Sequence, residues 1–195
     1  MAKQGLLIVV SAPSGSGKTT LCKKLVSACS DARHSISATT RPVRKGERNG
    51  RDYFFLTAEE FKKRKQNKEF LEWARVFGEY YGTPRKFIKE STRKGKDVVL
   101  NIDVQGALQI KRLDPEAVFI FVLPPSLKIL EQRLRKRKKD SAQEISKRLR
   151  LAKTEISRID NYDYVIVNKS INDSFRRLLA IVTAEKCKIK RKGRR

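Results

Sequence analysis

Residues 6–20 read LLIVVSAPSGSGKTT, and no other stretch of the chain restricts the fold as much. Five apolar residues, three of them β-branched, form a strand signal of the kind buried on both faces. The turn that follows closes on Gly17-Lys18-Thr19, the end of the phosphate-cradling pattern G-x-x-x-x-G-K-[ST]. Backbone N–H groups in such a turn, together with the N-terminus of the next helix, aim several donors and a positive dipole end at one small volume. Gly15 and Gly17 permit close backbone approach, Lys18 reaches the outer phosphates, and the Thr19 hydroxyl suits a bound Mg²⁺. The first glycine of the pattern is replaced by Ala12, whose extra methyl is tolerable if the residue keeps a negative φ. A plain glycine-rich turn would not require Gly-Lys-Thr directly behind a buried strand. Ala12, Pro13, Ser14, Gly15, Ser16, Gly17, Lys18, Thr19 and Thr20 are therefore assigned to a nucleoside triphosphate.

Three further apolar runs, VVLNI (98–102), VFIFVL (118–123) and YVIV (164–167), share this doubly buried character, with helix-period segments between them. The alternation predicts an α/β fold with a parallel sheet flanked by helices. Helix starts are legible too. Thr57-x-x-Glu60 and Ser141-x-x-Glu144 have capping-box form, Ser126 follows two prolines as an N-cap, and Asn172 or Asp173 opens the last helix. Residues 35–90 break the rhythm: DYFFL (52–56) and WARVFGEYYG (73–82) predict small antiparallel pieces in an insertion. Residues 127–158 are a highly charged helical stretch with RLRKRKK (133–139) near its middle, a candidate mobile flap.

A chain of 195 residues supports one domain with a substantial core. No stretch approaches the ~20 apolar residues of a membrane helix, so a soluble cytoplasmic protein without a membrane partner is expected. The apolar run after Lys3 leads straight into the glycine-rich loop, and signal cleavage there would destroy it. Three cysteines without metal-like spacing predict reduced thiols, and His34, the single histidine, leaves little for a histidine triad or a multi-histidine metal site. The net charge of +25 attracts nucleotides, nucleic acid and lipid head groups alike. The tail KCKIKRKGRR (186–195) is expected to fray, and nucleic-acid binding by the basic surface is left open. Oligomeric state leaves no sequence signal.

Asp103 closes the run VVLNID, where a carboxylate at the C-terminal end of a strand suits Mg²⁺, directly or through water. It suits equally the N-cap of a helix starting near Gln105. Its company favours the first role. SAPSGSGKTT, TTRPVRKGERNGRDYFF, FLEWARVFGEYYGT, NIDVQG and YDYVIVN occur in the order found in guanylate kinases, and the chain resembles that family over roughly residues 5–187.

The resemblance implies a P-loop NTPase-type core (5–34, 91–126 and 159–187), a small mixed GMP-binding insertion (35–90) and a helical lid (127–158), with 188–195 as a basic tail. It implies transfer of the γ-phosphoryl of ATP to GMP with Mg²⁺, ATP and GMP being the partners. Arg41 and Arg44 match the family's clamp on the GMP phosphate, completed by the hydroxyls of Tyr53 and Tyr81. Ser37 and Thr83 match positions that touch the base, and Asp103 serves the base side as well as the metal with Thr19. Arg133, Arg137 and Arg148 fall at the lid and transfer-site arginines, which neutralise charge on the moving phosphoryl group beside Lys18. Asn168 resembles a position near the ATP base.

Glu72 carries the substrate information. Guanine presents N1–H and N2–H₂ as adjacent donors that one carboxylate receives together, whereas adenine offers an unprotonated N1 that repels it. A site built on such pairing rejects the wrong analogue by roughly 10⁴-fold. The acceptor phosphate is already anionic near neutral pH, so positioning and charge neutralisation carry the transfer without a strong base. The chain departs from the family at Asn101, where a second carboxylate is common, and at Lys136 and Lys138, where glycines are usual around Arg137. Two rivals remain: a kinase of the same scaffold with another acceptor, and a non-catalytic module that binds phosphorylated protein segments.

Overall fold

The computed structural model describes residues 4–136 and 141–189. Its main sheet has five parallel strands in the order β2-β7-β1-β8-β9. These are β1 (Leu7–Ser11), β2 (Ala32–His34), β7 (Asp97–Asn101), β8 (Val118–Leu123) and β9 (Tyr164–Val167). β1 lies at the centre, Val9 facing Leu100 on one side and Phe119 on the other. All five of its residues are buried, as a strand with neighbours on both edges and helices on both faces must be.

Alternation along the strands divides the core. Ile8, Val10, Val99, Ile120 and Ile166 face Leu21 and Leu25 of α1 (Lys18–Ala28) and Leu178 and Val182 of α7 (Ile171–Cys187). Leu7, Val9, Leu100 and Phe119 face Ile88 of α3 (Arg85–Arg93) and Ala107 and Ile110 of α4 (Val104–Leu113). β9 departs from the expectation of burial on both faces. It is the edge strand, and Val165 and Val167 are exposed.

The insertion is a four-stranded mixed sheet, β4-β3-β6-β5, built from β3 (Ala38–Thr39), β4 (Phe54–Phe55), β5 (Phe70–Val76) and β6 (Glu79–Pro84). β5 and β6 form the antiparallel hairpin that WARVFGEYYG predicts. DYFFL is a correction: β4 runs parallel to β3, because residues 40–53 loop back before the chain re-enters the sheet. Phe61 of α2 (Ala58–Gln66) stacks on Phe70 and Tyr80 at 4.6 and 5.3 Å, giving the small sheet its own core. Gln109 of α4 then docks it on the main fold, donating to Trp73 O at 2.7 Å and accepting from Trp73 N at 3.3 Å.

The charged stretch forms a helical pair, α5 (Leu127–Lys136) and α6 (Ala142–Ile156), around Leu130, Leu134, Ile145 and Ala152. Both capping boxes form, and Ser126 Oγ accepts from Ile129 N at 3.1 Å. The last helix opens two to three positions earlier than predicted, on Ser170, with Asn172 and Asp173 in its first turn. Cys22 is buried, Cys187 is exposed, and all three thiols are free. No described helix is long and apolar enough to cross a membrane. Arg137, Lys138 and tail residues 190–195 lie outside the described residues.

Candidate functional site

The glycine-rich loop joins β1 to α1, which places its backbone at the C-terminal end of the central strand. Gly15 and Gly17 have φ of 97° and 93°, conformations that L side chains rarely adopt. At Gly17 a Cβ would also lie 2.4 Å from Asn168 Nδ2. Ala12 has no such constraint: Lys68 and Phe77 are the described non-glycine residues with positive φ, and the Ala12 methyl packs into the main core. The missing first glycine is thereby explained.

Asn168 is buried and turned to the loop backbone, where its Nδ2 donates to Ser16 O at 2.6 Å and its Oδ1 accepts from Ser174 Oγ at 2.9 Å. Lys18, the first residue of α1, donates from Nζ to Ile102 O at 2.5 Å. Burial lowers its pKa, and Asp103, Cys22, Glu155 and Glu72 oppose that shift. Beside it Thr19 Oγ1 accepts from Asn101 Nδ2 at 3.2 Å. Asn101 thus touches the hydroxyl expected to hold a metal, from the position where a carboxylate is common. Asp103 does cap a helix, but α4 starts at Val104: Oδ1 accepts from Gly106 N at 3.0 Å.

Glu72 lies on β5 opposite Thr83 of β6 and is 3% exposed. Thr83 donates its hydroxyl to Glu72 Oε1. The other oxygen leans on α4, where a Cβ at Gly106 would stand 2.3 Å from Oε2. This contact gives a reason for the glycine of NIDVQG that sequence reading missed. Burial pushes the Glu72 carboxyl up to about 7; Asp103 adds to the shift, while Thr83 and Lys18 oppose it.

On the arginine side, Arg41 is buried and its Nη2 donates to both carboxylate oxygens of Glu47, at 2.9 and 3.0 Å. Its guanidinium lies 5.4 Å from the Tyr53 ring, which meets Tyr81 edge-on at 6.1 Å. Glu47 also accepts from Arg44 N, so this one carboxylate sets the whole RPVR turn. It was not anticipated from sequence.

Arg148, Leu151 and Glu155, at helical spacing on α6, supply the opposite wall. Arg148 donates to Ser14 Oγ at 3.0 Å. Glu155, unremarked in the sequence, faces Lys18 and Asp103 electrostatically, and burial pushes its carboxyl up to about 7.

These walls enclose one cleft of about 410 Å³. It brings together the loop residues except Ser16, the residues expected on the acceptor side, Ser37, Arg41, Arg44, Tyr53, Glu72 and Tyr81, and Asp103 and Arg148. Ser16, Thr83, Asn168 and Arg133 do not line it; Arg133 Nη2 donates to Asn168 O at 2.9 Å. A shallower groove with Lys23, Lys24 and Phe175 opens outside, between α1 and α7. One cleft lined by a phosphate loop, a buried carboxylate and three arginines can hold two phosphorylated ligands together.

Residues 4–185 match the family model described as guanylate kinase. The guanylate kinase of Caldanaerobacter subterraneus subsp. tengcongensis is 49% identical over 189 residues, covering 97% of this chain and 92% of that one. That of Desulfitobacterium hafniense is 47% identical, covering 96% and 94%. The crystal structure of guanylate kinase from Anaplasma phagocytophilum superposes with a TM-score of 0.81 at 38% identity, covering 95% of this chain and 88% of that one. With the matched model spanning nearly its whole length, the chain belongs to the guanylate kinase family.

Proposed function

We infer that the chain is an ATP:GMP phosphotransferase that moves the γ-phosphoryl of ATP to the phosphate of GMP, giving ADP and GDP. The observation that carries this assignment is that Glu72 and Lys18 share one cleft. An acceptor-only carboxylate suited to guanine thus stands in the same cavity as a loop suited to triphosphate. Adenine and cytosine offer such a carboxylate no ring N–H, and a module that merely binds phosphorylated segments has no use for Lys18-Thr19.

On this assignment, residues 35–90 hold the acceptor, 127–158 act as the lid, and the remainder of 5–187 is the core. Backbone N–H groups of Ser14 to Thr20 and the Lys18 ammonium hold the ATP phosphates. Arg41, Arg44, Tyr53 and Tyr81 orient the GMP phosphate, with Glu47 presetting Arg41. Glu72 accepts from guanine N1–H and N2–H₂, with Oε1 also held by the Thr83 hydroxyl. Arg148 neutralises charge on the transferring group, and α6 keeps water from the phosphates. The acceptor oxygen needs no base.

The Thr19 hydroxyl and the Asp103 carboxylate both line the cleft, and their hard oxygens fit Mg²⁺, which takes one or two protein ligands and completes its shell with phosphates and water. Bound there, the ion would neutralise phosphate charge and align the transfer. ADP release with GMP, AMP, dTMP and CMP as acceptors tests the whole assignment: GMP is expected to lead by orders of magnitude, and a preference for any other acceptor defeats it.

A further inference from the structure

The β5–β6 turn is built from a residue that suits it poorly. Val76 pairs with Glu79, leaving Phe77 and Gly78 as the two central residues. Their φ values of 51° and 90° have the signs of a type I′ turn. Gly78 takes that conformation freely, whereas the first position favours Asn, Asp or Gly and penalises a bulky side chain. The Phe77 ring gains little from the core either, since the residue is 51% exposed. A disfavoured backbone held by an exposed aromatic is a reason to ask what the ring does.

It supports the lid. The Arg148 guanidinium carbon lies 4.8 Å from the Phe77 ring centroid, within cation–π range. The same guanidinium donates to Ser14 Oγ at 3.0 Å, and all three residues line the cleft. One arginine of α6 therefore joins the phosphate loop to the tip of the hairpin that carries Glu72 and Tyr81.

We propose that Phe77 is a positioning residue for phosphoryl transfer, its ring being the platform that holds the Arg148 guanidinium over the phosphate loop. This rests on the assignment of Arg148 to the transferring group. An arginine side chain has several free torsions, and a flat ring on one side with a hydroxyl on the other leaves its planar head few orientations. Charge stabilisation is strongest when the cation is already aimed before charge develops. Because the platform belongs to the acceptor sheet and the arginine to the lid, the aim exists only when those two parts hold the separation seen here. The turn thus accepts an unfavourable residue in exchange for an aligned catalytic cation.

Phe77→Asn separates this role from a structural one, because asparagine suits the turn. The expected variant melts at or above the wild-type temperature, while kcat falls about two- to fivefold, the loss of one exposed cation–π contact. KM for GMP and for ATP should stay within error. Phe77→Tyr, which keeps a ring, should retain wild-type kcat. In an Arg148→Ala background, Phe77→Asn should cost nothing further. Full kcat in Phe77→Asn, or an equal fold-loss in both backgrounds, would overturn the platform while leaving the role of Arg148 intact. Full kcat in Arg148→Ala would instead refute the assignment of Arg148, and the platform with it.

Discussion

On the proposed function Glu72 must be ionised to receive two guanine donors, and its burial resists ionisation. Burial pushes the carboxyl up to about 7, with Asp103 adding to the shift. A protonated Glu72 would present an O–H to N1–H or N2–H₂, donor against donor. GMP therefore selects the ionised form, and its apparent affinity must fall as pH drops through about 7. For a single group titrating there, roughly one molecule in ten is ionised at pH 6 and nine in ten at pH 8. The GMP dissociation constant should rise about tenfold between those values, equivalent to ~1.4 kcal/mol. Calorimetric titration at both pH values, in two buffers of different ionisation enthalpy, counts the protons released. The GMP phosphate also loses a proton near pH 6. Glu72→Gln is the reference for that, keeping the phosphate contribution and losing the carboxyl's, about 0.9 proton at pH 6. Equal proton release in wild type and variant would refute the reasoning. Thr83→Val removes the hydroxyl that lowers the Glu72 pKa and should move the acid limb to higher pH.

Three other substitutions probe the surroundings. Lys18→Ala should lower kcat by about two orders of magnitude or more while the circular-dichroism melt stays cooperative, since removing a buried ammonium relieves its desolvation. Gly106→Ala places a methyl against Glu72 Oε2, and steady-state assays should show KM for GMP raised about tenfold with KM for ATP unchanged. Asp97→Asn breaks a junction that ties α7 to the sheet. The Asp97 carboxylate accepts from Leu6 N at 2.8 Å and lies 2.8 Å from Lys186 Nζ, which also reaches Asp31 at 2.7 Å. Lys186 is a third exposed, so urea unfolding at pH 7 should show a loss of about 2 kcal/mol, below the cost for a fully buried pair.

What the sequence made legible follows from how local each signal is. β1, β7 and β8 have buried neighbours on both sides, so their apolar runs are unbroken and readable. β2 has three residues at a sheet edge and β3 and β4 two each, too short to carry a period. The parallel pairing of β3 with β4 is decided by where a long loop returns, which no window of residues records. The site divides the same way. The loop and capping boxes are local patterns, whereas Gly106 and Phe77 matter through contacts with Glu72 and Arg148 far along the chain, and Glu47 acts on Arg41 and Arg44 inside an irregular turn that has no period to read. Gly106 did leave a trace, as a glycine in the first turn of a helix, where alanine is preferred. Glu155 left a weaker one: its spacing from Leu151 and Arg148 marks one helical face, hidden among the many charges of α6.

The titrating groups of this cleft point to a division of labour. Burial lowers the pKa of Lys18, and Asp103, Cys22, Glu155 and Glu72 oppose that shift. Those acids are in turn affected by the lysine, whose charge lowers the pKa of both Glu72 and Glu155 while burial raises them to about 7. The carboxyls of Glu72 and Glu155 are thus held near neutral pH by burial against the charge of Lys18, a balance open to change when phosphates bring new negative charge. None of these groups is needed to take a proton from the acceptor, because the attacking phosphate oxygen is already anionic. On the proposed function, protonation in this cleft bears on how firmly ligands are held, and the transfer itself depends on aim. On that reading the chain can do without a catalytic histidine, and its less favourable local choices, a buried acid at Glu72 and a strained aromatic at Phe77, stand on one strand of a single hairpin and at its tip.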